Sequence, residues 1–571
     1  MVFVGDVRLY NRHALRRELD LGEASDEAAD IDIAWRAYLR WGEDAPQHLV
    51  GDFAFAVWDE RRRSIFAARD HLGVRPLYYK IDDEGAYIAS DVRQLLAVTP
   101  QAEVKVDPEA ILERFSRRWR TPGLTYFRNI SVLPAGHTLT ITPRTCNRRR
   151  YWVPSFEVRD IGDEDSYVEI RTLFRQAVHD RLESQHPIVA HSSGGADSSA
   201  ILMVADQIYA AEPHRPSLVM ASATTVGMPC DDSRYMDAVA RRVRFESVRW
   251  DALQPNLADL EDPVLAHPGL RRGTGGGPRR DLELARERHA RVLLHGFFGD
   301  GLTYAFGISR DMFRAGQWGT LAEDVLAAKG LRARLGLVAR SVAGLLPPGP
   351  ALRALSRIEN RSFHPAPEWM GPELRARYPP PAPELALPDV HWPSHFVCEL
   401  WARMTGAQVG ISVDSIVAYG AEDGIEIRLP YLDVRLLERI LTIPWRARVP
   451  VGGDYRRLGR RALGPLLPPE FTQRADQGSW TPVWTLGARR MLPTLERLLS
   501  DGTWLSAPYV KSSQARTMLK EVTERSESVE RGELLLVSGF AVLEAWLRRV
   551  FRYTARQEGH PCQTSPKHPG S

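Results

Sequence analysis

The sequence predicts a two-domain chain: an α+β domain rich in antiparallel sheet, then an α/β domain with a parallel sheet and a helical carboxyl-terminal part. Three observations predict it. The 571 residues exceed what a single hydrophobic core usually fills. Up to Val153 the chain shows strand-like alternation punctuated by turns. Beyond Asp160 short apolar runs alternate with amphipathic helical stretches, the pattern of parallel strands covered on both faces.

In chain order, helical patterns are read at Ala14–Leu19 and Asp30–Trp41. FAFAVWD (53–59), SIFAARD (64–70) and PLYYKIDDEGAYIAS (76–90) read as strands, with the DERRR and DDEG clusters as turns. A further strand pair, centred on Ser131–Leu133 and His137–Thr142, encloses Pro134-Ala135-Gly136. In the second domain a helix is expected at Asp165–Leu182, then a strand at Pro187–His191. A Gly-rich turn, a helix through Ser198–Tyr209 and a strand at Ser217–Thr224 follow, then a helix at Asp231–Arg242 and a buried strand at Val292–Gly296. RRGTGGGPRR (271–280) reads as a flexible loop, and the proline-rich stretch 345–392 as an insertion or linker. Helical patterning resumes from Trp392. Leu534–Leu547, interrupted by Ser538, Gly539 and Glu544, reads as a buried helix too polar for a membrane span. Residues 557–571 have no core-forming pattern and are expected to be disordered.

A net charge of +3 on this length argues against a nucleic-acid binder driven by bulk charge. Clusters such as Arg117-Arg118 and Arg148-Arg149-Arg150 read as solvated faces. Cys146, Cys230, Cys398 and Cys562 are too scattered for a disulfide framework or a zinc site. MVFVGDVRLYNRH lacks the basic leader and apolar core of a signal peptide, so a cytoplasmic location is expected.

The residues that carry chemistry are Ser193-Gly194-Gly195-Ala196-Asp197-Ser198-Ser199, set between the strand IVAHS and a helix. Glycines let the backbone approach a ligand, and the helix amino terminus offers unpaired N–H groups to a phosphate chain. Ser193, Ser198 and Ser199 add hydroxyl donors. Asp197 repels phosphate, so its sensible partner is a Mg²⁺ that bridges the phosphates. With no lysine, this is not the GxxxxGK[ST] loop. It resembles the SGGxDS pyrophosphate loop of the ATP pyrophosphatase superfamily, whose members split ATP into AMP and pyrophosphate.

In LLHGFFGDG (293–301) a strand ends at a glycine-flanked acid. Gly296, Gly299 and Asp300 resemble the GxGxDE-like turn of the asparagine-synthetase family, which implies a second Mg²⁺-binding carboxylate at Asp300; Gly301 stands where that family has glutamate. GIEIRLPYLD (424–433) resembles the family's GxExRxPFLD block. Glu426 has two readings, an ion pair with Arg428 or an acid beside the acceptor amine. The family usually places a lysine in an R-x-K-x-G-F-like segment. Here that segment is Arg474-Ala475-Asp476-Gln477-Gly478-Ser479, so Arg474 is the candidate positive charge, with a fork geometry not equivalent to an ammonium.

GDFAFAVWDERRRSIFAARDHLGVRPLYY (51–79) resembles the core of class II glutamine amidotransferase domains, which implies an Ntn-hydrolase-like sandwich. Arg69-Asp70 and Gly73-Val74-Arg75-Pro76-Leu77 match that block, and VGDVRLYN (4–11) resembles its NGEIYN strand. Such a domain needs an amino-terminal cysteine nucleophile, whereas residue 2 is Val2 and the first cysteine is Cys146. Either the glutaminase is degenerate and structural, or the start of the sequence is called too late. The expected domains are 1–155, degenerate amidotransferase-like, and 160–556, asparagine-synthetase-like ATP pyrophosphatase.

The resemblance implies an AMP-forming carbon–nitrogen ligase using ATP and Mg²⁺. A carboxylate attacks the α-phosphate, and an amine then attacks the acyl-adenylate. Without a working glutaminase, the amine belongs to the substrate itself, a peptide or small molecule bearing both groups. Lasso peptide cyclases and β-lactam synthetases share this plan. The proline-rich region and the arginine-rich surface favour the former, with a leader peptidase and a leader-recognition protein as implied partners. An asparagine synthetase with a truncated start and a non-catalytic relative remain as alternatives.

Overall fold

The computed structural model describes residues 1–22, 28–116, 121–253, 277–303, 307–327, 330–361, 366–378, 387–448, 456–472, 474, 481–500, 504–525 and 531–558. Residues 271–276 of the glycine-rich stretch, Ala475–Ser479 and the tail beyond Glu558 lie outside them.

The amino-terminal strands are β1 (Val2–Leu9), β2 (Gly51–Asp59), β3 (Ser64–Arg69), β4 (Tyr78–Asp82), β5 (Gly85–Ala89), β6 (Ser131–Val132), β7 (His137–Ile141) and β8 (Cys146–Arg150). They form two antiparallel sheets, in the orders β1-β2-β3-β7-β8 and β5-β4-β6. The period of two explains how the layers stack. In β2 the small Ala54 and Ala56 face one way and cluster with Ala67, Leu77, Leu133 and Leu139 between the sheets. The large Phe53, Phe55 and Val57 face the other way, into the core shared with Ile33, Ala34 and Ala37 of the helix Asp30–Trp41.

The expected strand pair around Pro134-Ala135-Gly136 is corrected: β6 pairs with β4 and β7 with β3, so this turn carries the chain between sheets. Gly136, at φ +67°, makes the reversal possible.

The second part holds five parallel strands in the order β11-β10-β9-β12-β13: β9 (Ile188–Ser192), β10 (Leu218–Thr224), β11 (Glu246–Asp251), β12 (Val292–Leu294) and β13 (Glu426–Arg428). From β9 the order runs outward one way through β10 and β11, and the other way through β12 and β13. The switch point therefore lies between β9 and β12, where an open α/β sheet has its ligand crevice.

The reading of 345–392 as a linker is also corrected. A helix spans Pro348–Arg361 with Ala351 fully buried. Met370 and Leu374 join a core with Trp504, Val510, Phe540 and Trp546. The helix Arg531–Glu558 contains the buried segment expected there, and it satisfies buried Glu544 with Ser506 N (2.9 Å), Ser506 Oγ (2.8 Å) and Arg548 Nε (2.8 Å). Both large cores draw on both parts of the chain: Trp152 packs on Trp401 (5.2 Å between ring centroids), and Tyr126 and Phe127 pack on Trp546 (5.7 and 5.6 Å). Among the described residues no helix is long and apolar enough to cross a membrane.

Candidate functional site

β9 delivers its last residue, Ser192, into the crevice, and the helix Ala196–Ala211 leaves on the far side of Gly195. Gly194 lies at φ +72°, and a Cβ there would sit 2.6 Å from Cβ of Asp232, so only glycine fits. The loop is folded by its own hydroxyls. Ser193 Oγ accepts from Gly195 N (3.3 Å), Ser198 Oγ accepts from Ser193 N (3.2 Å), and Ser198 Oγ donates to Gly195 O (3.3 Å). No side chain caps the first turn of the helix. Its amide groups therefore face the crevice uncapped, the arrangement that receives phosphate at helix amino termini. Ser199 Oγ is fully buried and has no hydrogen-bond partner.

Asp197, in the first turn of this helix, meets Asp300 from the turn after β12. Burial, and then the neighbouring Asp300 carboxylate with its hydrogen bond, pushes Asp197 up to about 8. Two acids from adjacent strand ends thus face each other, an arrangement that a divalent cation would relieve. Glycines make the approach possible. A Cβ on Gly299 would lie 2.7 Å from Asp197 Oδ2, and one on Gly296 only 3.2 Å from Ser198 N. Arg456 reaches Asp300 Oδ1 at 3.0 Å, and Tyr431 OH donates to Asp197 O at 3.0 Å. No cluster of three or more His, Cys, Asp or Glu suited to a metal occurs among the described residues. A cation here would rest on two carboxylates plus ligand oxygens, which suits Mg²⁺.

Arg474 reaches the same loop from outside. Its Nη1 donates to Gly194 O (2.7 Å) and its Nη2 to Asp232 Oδ2 (2.7 Å), while the guanidinium lies 4.3 Å over the Tyr235 ring. Burial raises Asp232 from the ordinary carboxylate range despite this partner. Arg474 therefore braces the glycine turn through its backbone.

Glu426 sits elsewhere, at the seam between the two parts of the chain. Its carboxylate accepts from Arg8 Nε (3.1 Å), Arg428 Nη2 (2.6 Å) and Arg75 Nη2. Burial alone would raise its pKa, but Arg75, Arg428 and Arg8 together hold it well below the usual range. So clamped, Glu426 is a poor base and a strong tie. Arg69 adds a second tie to Asp414 (2.5 Å), and Arg181 bonds Asp433 (2.8 Å) close to Asp52 (3.8 Å). Tyr10, Asp52, Asp70, His71, Arg181 and Asp433 line a small cavity there. Burial lowers His71 to about 4 and raises Asp70 to about 6.

The structure thus gathers Ser193, Gly194, Gly195, Asp197, Ser198, Ser199, Gly296 and Asp300 at the switch point, with Arg474 behind the loop and Glu426 in the seam. Sequence reasoning missed Arg456, Asp232 and Tyr431. Tyr431 lies in the GIEIRLPYLD block already singled out, whereas nothing local marks Asp232. It also missed His191, which bonds buried Asp281 (2.6 Å) and stacks on His295 (4.7 Å) beside the crevice.

Comparison with known proteins agrees with this division. Residues 1–152 match a glutamine amidotransferase domain, and residues 169–548 match the asparagine synthase family. The chain is 33% identical to asparagine synthetase (glutamine-hydrolyzing) 3 of Bacillus subtilis, over 46% of this chain and 45% of that protein. It is 26% identical to a putative asparagine synthetase (glutamine-hydrolyzing) of Mycobacterium tuberculosis, over 85% of this chain and 75% of the relative. Amidase chry2 of Gibberella zeae is 28% identical over 50% of this chain and 44% of its own length. The matched regions therefore span under half of the Bacillus and Gibberella proteins.

Proposed function

This chain belongs to the asparagine synthase family, and from that premise we propose that it forms an amide bond by adenylating a carboxylate with ATP. The observation that carries the proposal is the meeting of Asp197 and Asp300 beside an uncapped helix amino terminus. In this reading the backbone of Gly194 and Gly195, the first-turn amides and Ser199 Oγ receive the pyrophosphate portion of ATP. Asp197 and Asp300 would hold Mg²⁺, which when bound neutralises charge on the leaving pyrophosphate. Arg456 adds positive charge at the edge of the crevice, and Arg474 keeps the loop in shape. The substrate carboxylate attacks the α-phosphorus, the α–β bridging bond breaks, and pyrophosphate leaves. An amine then attacks the acyl carbon, AMP leaves, and the amine gives up a proton. Glu426, tied to three guanidiniums, is not assigned to that proton.

The amine is proposed to belong to the substrate. Intramolecular attack lowers the entropic cost of the second step. Ring closure of a peptide, as in lasso peptide cyclases, is the favoured form, with peptide-processing partners implied. Asparagine synthesis and β-lactam formation use the same first step.

ATP–pyrophosphate exchange tests this. Precursor-like peptides, β-amino acid derivatives and aspartate are offered separately, each with and without glutamine. Exchange with a peptide, lost in Asp197→Asn and Asp300→Asn, supports the reading. Exchange with aspartate alone, or glutamine-dependent product, refutes the substrate-borne amine. No exchange with any substrate refutes adenylation.

A further inference from the structure

The second half of the proposed reaction releases a proton from the attacking amine, and Glu426, held by three guanidiniums, is a poor acceptor for it. A titratable pair beside the crevice is left unused by the first half. His191 is the fourth residue of β9, and its side chain is 16% exposed. Its Nδ1 lies 2.6 Å from Oδ2 of Asp281, on the helix Gly277–Glu287 that packs over β9 and β12. Asp281 is fully buried, and its other oxygen accepts from Trp250 Nε1 (3.1 Å).

An imidazole this close to a carboxylate carries its proton on Nδ1, which leaves the lone pair on Nε2. Among the described residues no hydrogen bond reaches that nitrogen. The plane of the ring is fixed as well. The parallel register sets Leu294 beside Ala190, so one step further along His295 stands beside His191. Neighbouring strands lie roughly 4.7–4.9 Å apart. The two rings accordingly stack at 4.7 Å and 10°. A tie between strand and helix would use Nδ1 alone.

His191 stands two residues before Ser193, and His295 immediately before Gly296, so the pair spans the switch point. Two strand residues cover ~7 Å, comparable to the span from a bound pyrophosphate to the acyl carbon beyond the α-phosphate. We propose that His191 is the base of the amide-forming step, an inference that rests on the adenylation reading of the same crevice. The amine nitrogen bonds to the acyl carbon, the bond from that carbon to the AMP oxygen breaks, and AMP leaves with the electron pair. The surplus proton of the amine passes to His191 Nε2. Asp281 stabilises the imidazolium through Nδ1 until the proton is lost to water. Asp281 and His295 are positioning residues.

His191→Asn keeps a donor where Nδ1 stands and removes Nε2. The test compares it with the unaltered full chain, using the carboxylates offered above. Pyrophosphate exchange reads the first step and amide product the second, with ammonium chloride as the amine for aspartate. Added hydroxylamine, a strong nucleophile with little need of a base, captures the acyl-adenylate as a hydroxamate. Exchange and hydroxamate formation are expected to stay within about threefold while amide formation falls about 100-fold or more. Asp281→Asn slows the amide step at least about tenfold, and free imidazole restores part of it in His191→Ala. Unchanged amide formation in His191→Asn, or no rescue by imidazole, overturns the proposal. Equal loss of exchange and amide formation also overturns it, assigning His191 to nucleotide binding if the thermal midpoint holds and to a structural tie if it falls. Absence of exchange in the unaltered chain removes the adenylation reading and this inference together, whereas intact exchange with an unaffected amide step removes only the base.

Discussion

Replacing Arg474 by methionine keeps its apolar stem and removes its charge. The guanidinium makes charge-assisted bonds to Gly194 O and Asp232 Oδ2, each 2.7 Å, in a site where both side chains are nearly buried. Removing one partner of such a pair costs about 3–5 kcal/mol, chiefly from the charge left behind. Asp232, already raised by burial, can take up a proton, which holds the loss near the lower end, about 3 kcal/mol. The loop carbonyl is released as well, so exchange should fall about tenfold or more. The assay is a double-mutant cycle over Arg474→Met and Asp232→Asn, read by thermal unfolding and by pyrophosphate exchange. If Arg474 braces the loop, Asp232→Asn in the Arg474→Met background recovers much of the stability. A coupling below about 0.5 kcal/mol refutes the bracing argument. Loss of exchange with no change in stability, and no recovery in the double variant, would mean that Arg474 acts directly on the phosphates.

Gly299→Ala places a methyl 2.7 Å from Asp197 Oδ2. Overpacking of about 1–3 kcal/mol and a roughly 100-fold drop in exchange are expected from a displaced carboxylate. Gly319→Ala, in open space, is the control, and equal exchange in both variants would refute the close-approach argument. His71 is held near 4 by burial, so it stays neutral in the fold while the unfolded chain takes up its proton below about 6.5. The unfolded state therefore binds more protons between pH 6.5 and 4, and the fold loses up to about 3 kcal/mol through this residue as pH falls. Asp70, raised to about 6, works in the opposite direction over part of that window. His71→Gln should make stability less steep in pH by about one proton there, and parallel curves for the two proteins would contradict this. Glu426→Gln leaves Arg8, Arg75 and Arg428 facing one another. A loss of about 3 kcal/mol and faster limited proteolysis at the seam should result, and an unchanged digestion pattern would argue against the clamp.

The phosphate loop was legible because its signal is local: an apolar strand, a glycine turn and a helix within a dozen residues. The linker reading of 345–392 fails because the prolines there do not all act as breakers. Pro348 and Pro350 fall in the first turn of the helix Pro348–Arg361, where a missing N–H breaks no intrahelical bond. β11 escaped notice because none of its six residues is buried, four being exposed, and it lies at the sheet edge. β13 escaped because it is three residues long. The seam was not legible at all. Arg8 and Arg75 lie 418 and 351 residues from Glu426, and no local pattern announces a partner that distant.

The seam has a consequence for how the chain is put together. Glu426 opens β13, where it stands opposite Val292 at the start of β12. β12 in turn leads to Gly296, Gly299 and Asp300. Arginines of the amino-terminal part thus grip the strand beside the one that sets the second carboxylate. Cutting the gene between the two sequence families would cut through shared cores and leave the nucleotide crevice with a slack wall. The amino-terminal part thus serves the frame of the crevice as well as itself, much as a keystone holds an arch.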